Sequence, residues 1–154
     1  MFLKKKQVKS IKGRMVFNGK PTREWLSRED SASPMAALES NLLTALTDAT
    51  EPCNVMMCII PNAFIQAEIL EAKEGEERVM MKITGVLVDM LVELNSQLYG
   101  PHVVYKKRGK VLYVQVLRAI YGMLESALLW YKKLCGGLKE EGFKFNPHDP
   151  CVGN

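Results

Sequence analysis

Residues 55–60 read VMMCII, six apolar or sulfur-bearing side chains in a row, and Pro61 follows at once. A run without polar alternation suits a strand covered on both faces, and proline ends it because it cannot donate to a sheet ladder. Residues 62–69, NAFIQAEI, then turn amphipathic. The pattern predicts a buried strand feeding a short helix, and a chain organised around such a strand must bring cover to both its faces.

The chain has 154 residues, enough for one domain that buries roughly two thirds of its unfolded surface. Its apolar stretches fall well short of the roughly 20 residues needed to span a bilayer. The first residues, MFLKKKQVKSIKGR, are charged without the apolar centre of a secretory signal. The expectation is an intracellular protein, cytoplasmic or nuclear, with no membrane partner. Cys53, Cys58, Cys135 and Cys151 lack paired CxxC spacing and fit structural thiols rather than a disulfide frame or metal site. His102 and His148 stand apart from any nucleophile or second ligand at a recognisable spacing, which gives a zinc or triad site no support.

Net charge is +4, unevenly placed: residues 1–28 carry nine Lys and Arg against the single acid Glu24, and the rest carry twelve against sixteen acids. A basic arm beside a slightly negative fold can contact phosphates, with affinity that falls as salt rises. The alternative is a solvated terminus.

Taken in order, residues 1–11 form a basic, weakly structured lead. A short strand follows at residues 13–17, and Asn18 and Gly19 favour a tight hairpin turn. Ser33 and Pro34 then supply a helix start. Met35, Leu38, Leu42, Ala45, Leu46 and Ala49 give that helix one buried face, which Glu51 and Pro52 close. Residues 68–78 are acidic and read as a solvated connection. A short strand is expected at residues 79–83, then an amphipathic helix marked by Leu87, Met90, Leu91, Leu94 and Leu98 that ends before Gly100 and Pro101. Its methionines are core filler, or else the lining of a groove. Residues 103–105 and 111–116 read as a hairpin with a basic tip, Lys106, Lys107, Arg108, Gly109 and Lys110. Leu124, Leu128, Tyr131, Leu134, Cys135 and Leu138 form a last helical stripe, with Gly142 as its C-terminal cap. Gly136 and Gly137 inside it each cost about 1 kcal/mol relative to Ala, and mark either close packing or a weakened helix.

Four blocks of this order resemble reverse transcriptases of the Ty1/copia type. Lys12, Gly13 and Arg14, followed by Asn18, Gly19, Lys20 and Arg23, resemble the family's basic fingers hairpin. Residues 55–64 resemble motif A, in which a strand delivers Asp, then Asn or Gly, Ala and Phe to the active site. Residues 117–131 resemble the block Leu-x-Lys-Ala-Leu-Tyr-Gly, with Glu125 where a Lys, Gln or Arg is usual. Residues 142–152 resemble the family's Gly-Phe stretch ending in Asp-Pro-Cys-Val.

The resemblance implies an α+β fold: a reverse-transcriptase-like fingers and partial palm fragment over residues 12–154, with mixed or antiparallel strands and about three amphipathic helices. It implies nucleotide contacts at Arg14, Phe64, Tyr121 and Gly122, and contacts to RNA or an RNA/DNA hybrid at Lys12, Lys20, Arg23, Lys107, Arg108, Lys110 and Arg118. Phe64 matches the aromatic under the incoming sugar; it is equally suited to be a core aromatic at a strand-helix junction. The family transfers nucleotides with two Mg2+ ions held by carboxylates. Ile59 stands where the metal-binding Asp belongs, and the Asp-Asp hairpin that would complete the site is not in the sequence. The nearest carboxylates, Glu68 and Asp149, match no family ligand. The expectation is therefore a catalytically inactive reverse-transcriptase fragment with no retained cofactor. The competing expectations are a non-enzymatic module that binds RNA or hybrid through its basic hairpins, and a polymerase completed by another chain.

Overall fold

The computed structural model describes residues 2–5, 11–14, 16–51, 54–69 and 78–154, the first two segments as backbone alone. The fold is α+β, with antiparallel strands throughout. The chain divides into two compact units: Met1–Glu68 with Arg118–Asn154, and Ile69–Leu117.

The second unit follows the sequence pattern closely. Strand β3 (Met80–Thr84) is followed by helices α4 (Val86–Leu94) and α5 (Ser96–Tyr99), a 3-10 turn (Gly100–His102), and the hairpin β4 (Val103–Lys106) and β5 (Gly109–Gln115). The sheet order is β3-β5-β4, so β5 is central. Its register pairs Lys82 with Tyr113, Ile83 with Leu112 and Val103 with Leu112. Leu112 is therefore flanked by apolar partners on both sides, and it is only 1 % exposed. Val88 of α4, Val111 and Val116 complete the buried apolar set of this unit. The helix expected through Leu98 breaks at Asn95, whose side-chain oxygen accepts the Leu98 N–H at 3.0 Å. Asparagine competes for backbone amides in this way, ending one helix and capping the next.

The first unit holds the hairpin β1 (Phe2–Lys5) and β2 (Ile11–Arg14), a 3-10 turn (Pro21–Glu24), and helices α1 (Arg28–Ser31), α2 (Leu38–Thr50), α3 (Ala63–Gln66) and α6 (Ser126–Glu140). With α4, helices α2 and α6 are the three of the described residues that exceed one turn. Helix α6 ends in a Schellman cap: Phe143 N–H donates to the Leu138 carbonyl and Gly142 N–H to that of Lys139, both at 3.0 Å, with Gly142 at φ +95°. Beyond it, Lys144 and Asn154 exchange backbone hydrogen bonds at 2.8 and 3.0 Å. Buried here are Ala67, Ala119, Met123, Cys135, Ser126 and Asp149.

Several expectations fail in this unit. Residues 55–60 form no strand and are not buried; Met57 is 90 % exposed and Ile59 89 %. A strand buried on both faces needs ladder partners and covering helices, and, among the described residues, 55–60 pair with no strand. The helix predicted after Pro61 does form, as α3. Helix α2 forms too, three residues later than Met35, but none of its residues is buried, and Leu38, Leu42, Leu43 and Leu46 are exposed. The large core expected for a chain of this length is thus reduced to the small clusters named above. Cys58 is an exposed thiol rather than a core residue, Cys135 is buried and Cys151 half-buried, all three free, while Cys53 lies outside the described residues. Asn18 and Gly19 do not turn a hairpin: Pro21 opens a 3-10 turn in which Thr22 donates to the Gly19 carbonyl, as suits a proline that cannot join a ladder. The N-terminal hairpin lies further upstream, and residues expected to be a weakly structured lead supply β1. Most of the expected acidic connection, residues 70–77, lies outside the described residues. Among those described, no helix is long and apolar enough to cross a membrane.

Candidate nucleic-acid interface

In the first unit, three blocks far apart in sequence meet at the turn formed by Tyr121 and Gly122. Phe64, the second residue of α3, packs its ring against Tyr121 with centroids 4.9 Å apart and planes tilted by 55°, a geometry favoured by the ring quadrupoles. Phe17 N–H donates to the Tyr121 carbonyl at 2.7 Å. Gly122 has φ +94°, and a Cβ there would overlap the Phe17 carbonyl oxygen; one on Gly19 would overlap the Gly122 carbonyl oxygen. Only glycine meets both demands at Gly122. The turn is fixed from below as well, since Ser126 Oγ donates to the Ile120 carbonyl at 2.7 Å and Ala119 N–H to that of Ala67 at 2.9 Å. Tyr121 keeps 44 % of its surface open to solvent.

The basic candidates are more dispersed. Lys20 and Arg23 are exposed, immediately after the Gly19 contact. The side chains of Lys12 and Arg14 lie outside the described residues, although their backbone belongs to β2. Arg118 pairs with Glu68 at 3.4 Å, with both side chains more than half exposed, a contact worth little in water. In the second unit Lys107 and Arg108 form the turn between β4 and β5 and have no carboxylate partner among the described residues. Lys110 is engaged: its Nζ donates to Asp89 of α4 at 2.6 Å, which holds the ammonium above its usual range.

Sequence reasoning missed part of this second cluster. A groove of about 740 Å³ runs along the hairpin end of the sheet and takes in Lys82 and Tyr105 beside the basic tip of Lys106, Lys107, Arg108 and Lys110. The alternation of β3 was the available signal, because Lys82 falls on its exposed positions with Met80 and Thr84. Lys106 Nζ donates to the Tyr113 hydroxyl at 2.7 Å, and this bond pulls the Tyr113 phenol below its usual value.

Neither of the two carboxylates nearest the motifs is arranged as a metal ligand. Glu68 is turned to Arg118. Asp149 accepts the N–H of Ala37 at 2.9 Å and of Cys151 at 3.0 Å, so it caps the start of α2. The Ser40 hydroxyl, with these two amides, holds its carboxyl below the ordinary value. Tyr131 donates to the Pro150 carbonyl at 2.9 Å, and burial pushes its phenol up to about 12. Glu125, at the start of α6, has its carboxyl raised by burial. Ile59 offers no oxygen, and among the described residues no group of three or more His, Cys, Asp or Glu is placed to hold a cation.

No protein-family model, curated protein or solved structure matches the chain.

Proposed function

We propose that this chain is a catalytically silent segment of a Ty1/copia-type reverse transcriptase that keeps the capacity to hold RNA or an RNA/DNA hybrid. The observation that carries the reading is the convergence at Tyr121 and Gly122. The blocks likened to the fingers hairpin, to motif A and to the Tyr-Gly segment are separate in sequence, yet Phe17 and Gly19, Phe64, and Tyr121 with Gly122 touch one another. An exposed Tyr121 backed by Phe64, with Lys20 and Arg23 following Gly19, offers a ring for a sugar or base and cations for phosphate. Nucleotide transfer is absent on this reading because Ile59 supplies no metal ligand.

The test is binding and extension of a labelled RNA/DNA primer-template. The chain binds the hybrid with an affinity that falls as salt rises, Tyr121→Ala and the pair Lys20→Ala with Arg23→Ala weaken it, and no extension follows in Mg2+. Extension by the Ile59 protein, alone or with a polypeptide carrying an Asp-Asp hairpin, would overturn the assignment of inactivity. Hybrid binding that ignores Tyr121 and both basic residues removes the nucleic-acid part. The same polypeptide is the partner the reading implies, and protection of the exposed Cys58 thiol from a maleimide reports its docking over residues 55–60.

A further inference from the structure

The second unit carries a cation cluster that the convergence at Tyr121 does not use. Lys82, Lys106, Lys107, Arg108 and Lys110 border one groove of about 740 Å³. Four of them lie in the run 106–110, and strand register adds the fifth, Lys82, from β3. Among the described residues, Asp89 is the carboxylate held against this cluster, and it is matched by Lys110. The remaining cations have no acidic partner there. Such a surface favours a polyanion. Its second component narrows the class: Tyr105 lines the same groove, is 77 % exposed and, among the described residues, stacks on no other ring. An aromatic face left open among cations suits an unpaired base, whose ring stacks while its phosphates meet the ammonium and guanidinium groups. A duplex hides its base faces and an acidic peptide has none, so neither would use the ring.

We infer that the hairpin groove binds single-stranded nucleic acid, with Tyr105 as the base-stacking residue and Lys82, Lys107 and Arg108 as the principal phosphate contacts. Lys106 and Lys110 add charge while tied to Tyr113 and Asp89. The inference deepens the nucleic-acid part of the reading above and is independent of its polymerase part.

The experiment is fluorescence anisotropy of the full chain with a labelled oligouridylate of about 12 nucleotides, a length within the span of known single-strand sites, repeated with the matching oligothymidylate and with polyglutamate as competitor. Tyr105→Ala weakens oligouridylate binding by about tenfold and Tyr105→Phe leaves it within about twofold, as stacking requires. The double variant Lys107→Ala with Arg108→Ala lowers the steepness of the log-affinity against log-salt plot by about 1.4, close to 0.7 for each phosphate no longer neutralised. Circular dichroism checks that each variant is folded. Equal affinity of Tyr105→Ala and the unchanged chain, or displacement by polyglutamate at equal charge concentration, identifies a general polyanion surface and overturns the proposal. Loss of oligouridylate binding on changing Lys20 and Arg23, with none on changing Tyr105, Lys107 or Arg108, overturns it while leaving the reading at Tyr121 intact. Tyr105-dependent binding of the single strand by a chain that ignores the hybrid has the opposite meaning.

Discussion

The sheet unit and the stretch at residues 55–60 are both rich in apolar side chains, but they end in opposite environments. Leu112 is 1 % exposed and Ile59 is 89 % exposed. Ile83, Val103 and Leu112 sit in a three-stranded sheet whose members all lie within Ile69–Leu117, and its hairpin joins Val103 to Leu112 across a short loop. Such local pairing loses little loop-closure entropy before the sheet forms. Residues 55–60 have comparable hydrophobicity and, among the described residues, no strand paired with them. Apolar character therefore decides what would be buried, and the presence of partners decides what is.

Substitutions sharpen this contrast. The largest effect is expected for Leu112→Ala, which leaves a cavity and costs about 2–5 kcal/mol, read by urea denaturation; a loss as small as that of a surface change would break the comparison. Gly122→Ala, forced to a positive φ against the Phe17 carbonyl, costs about 1–3 kcal/mol and reduces tyrosine and tryptophan near-ultraviolet dichroism. Asp149→Ala removes the cap on α2 and lowers the melting temperature by about 5 °C. The pH dependence has a definite sign. Asp149 has a folded value below the ordinary 3.8, so its contribution is complete above that value and is lost as pH falls through the lower folded one. Asp149→Asn should flatten that acid limb. Gly137→Ala is expected to stabilise by about 1 kcal/mol, since a Cβ there meets nothing within 4 Å. The smallest effect belongs to Ile59→Asp, within about 0.5 kcal/mol of zero; a large loss would show that the exposed run is covered in solution.

What the sequence made legible is what short-range chemistry determines. The hairpin around Lys107 and Arg108, the strand containing Ile83 and the helix capped at Gly142 were readable because alternation, turn composition and cap residues act within a few positions. The start of α2 was not, because the group that caps it is Asp149, beyond the reach of any local pattern. The groove was half legible: Tyr105 and the cations up to Lys110 form one stretch of chain, whereas Lys82 joins them only through strand register. Glycines 136 and 137 were open to two readings, close packing or a weakened helix, and the empty space beside both favours the second.

The Asp149 cap also has a place in time. It lies 112 residues after Ala37 and well past Thr50, where α2 ends, so a ribosome adding about 5–20 residues per second completes α2 roughly 5–20 s before making the carboxylate that fastens its first turn. Through that interval the helix has water alone at its leading amide and an open leucine stripe along its side. Its anchoring is a late event in the life of each new chain.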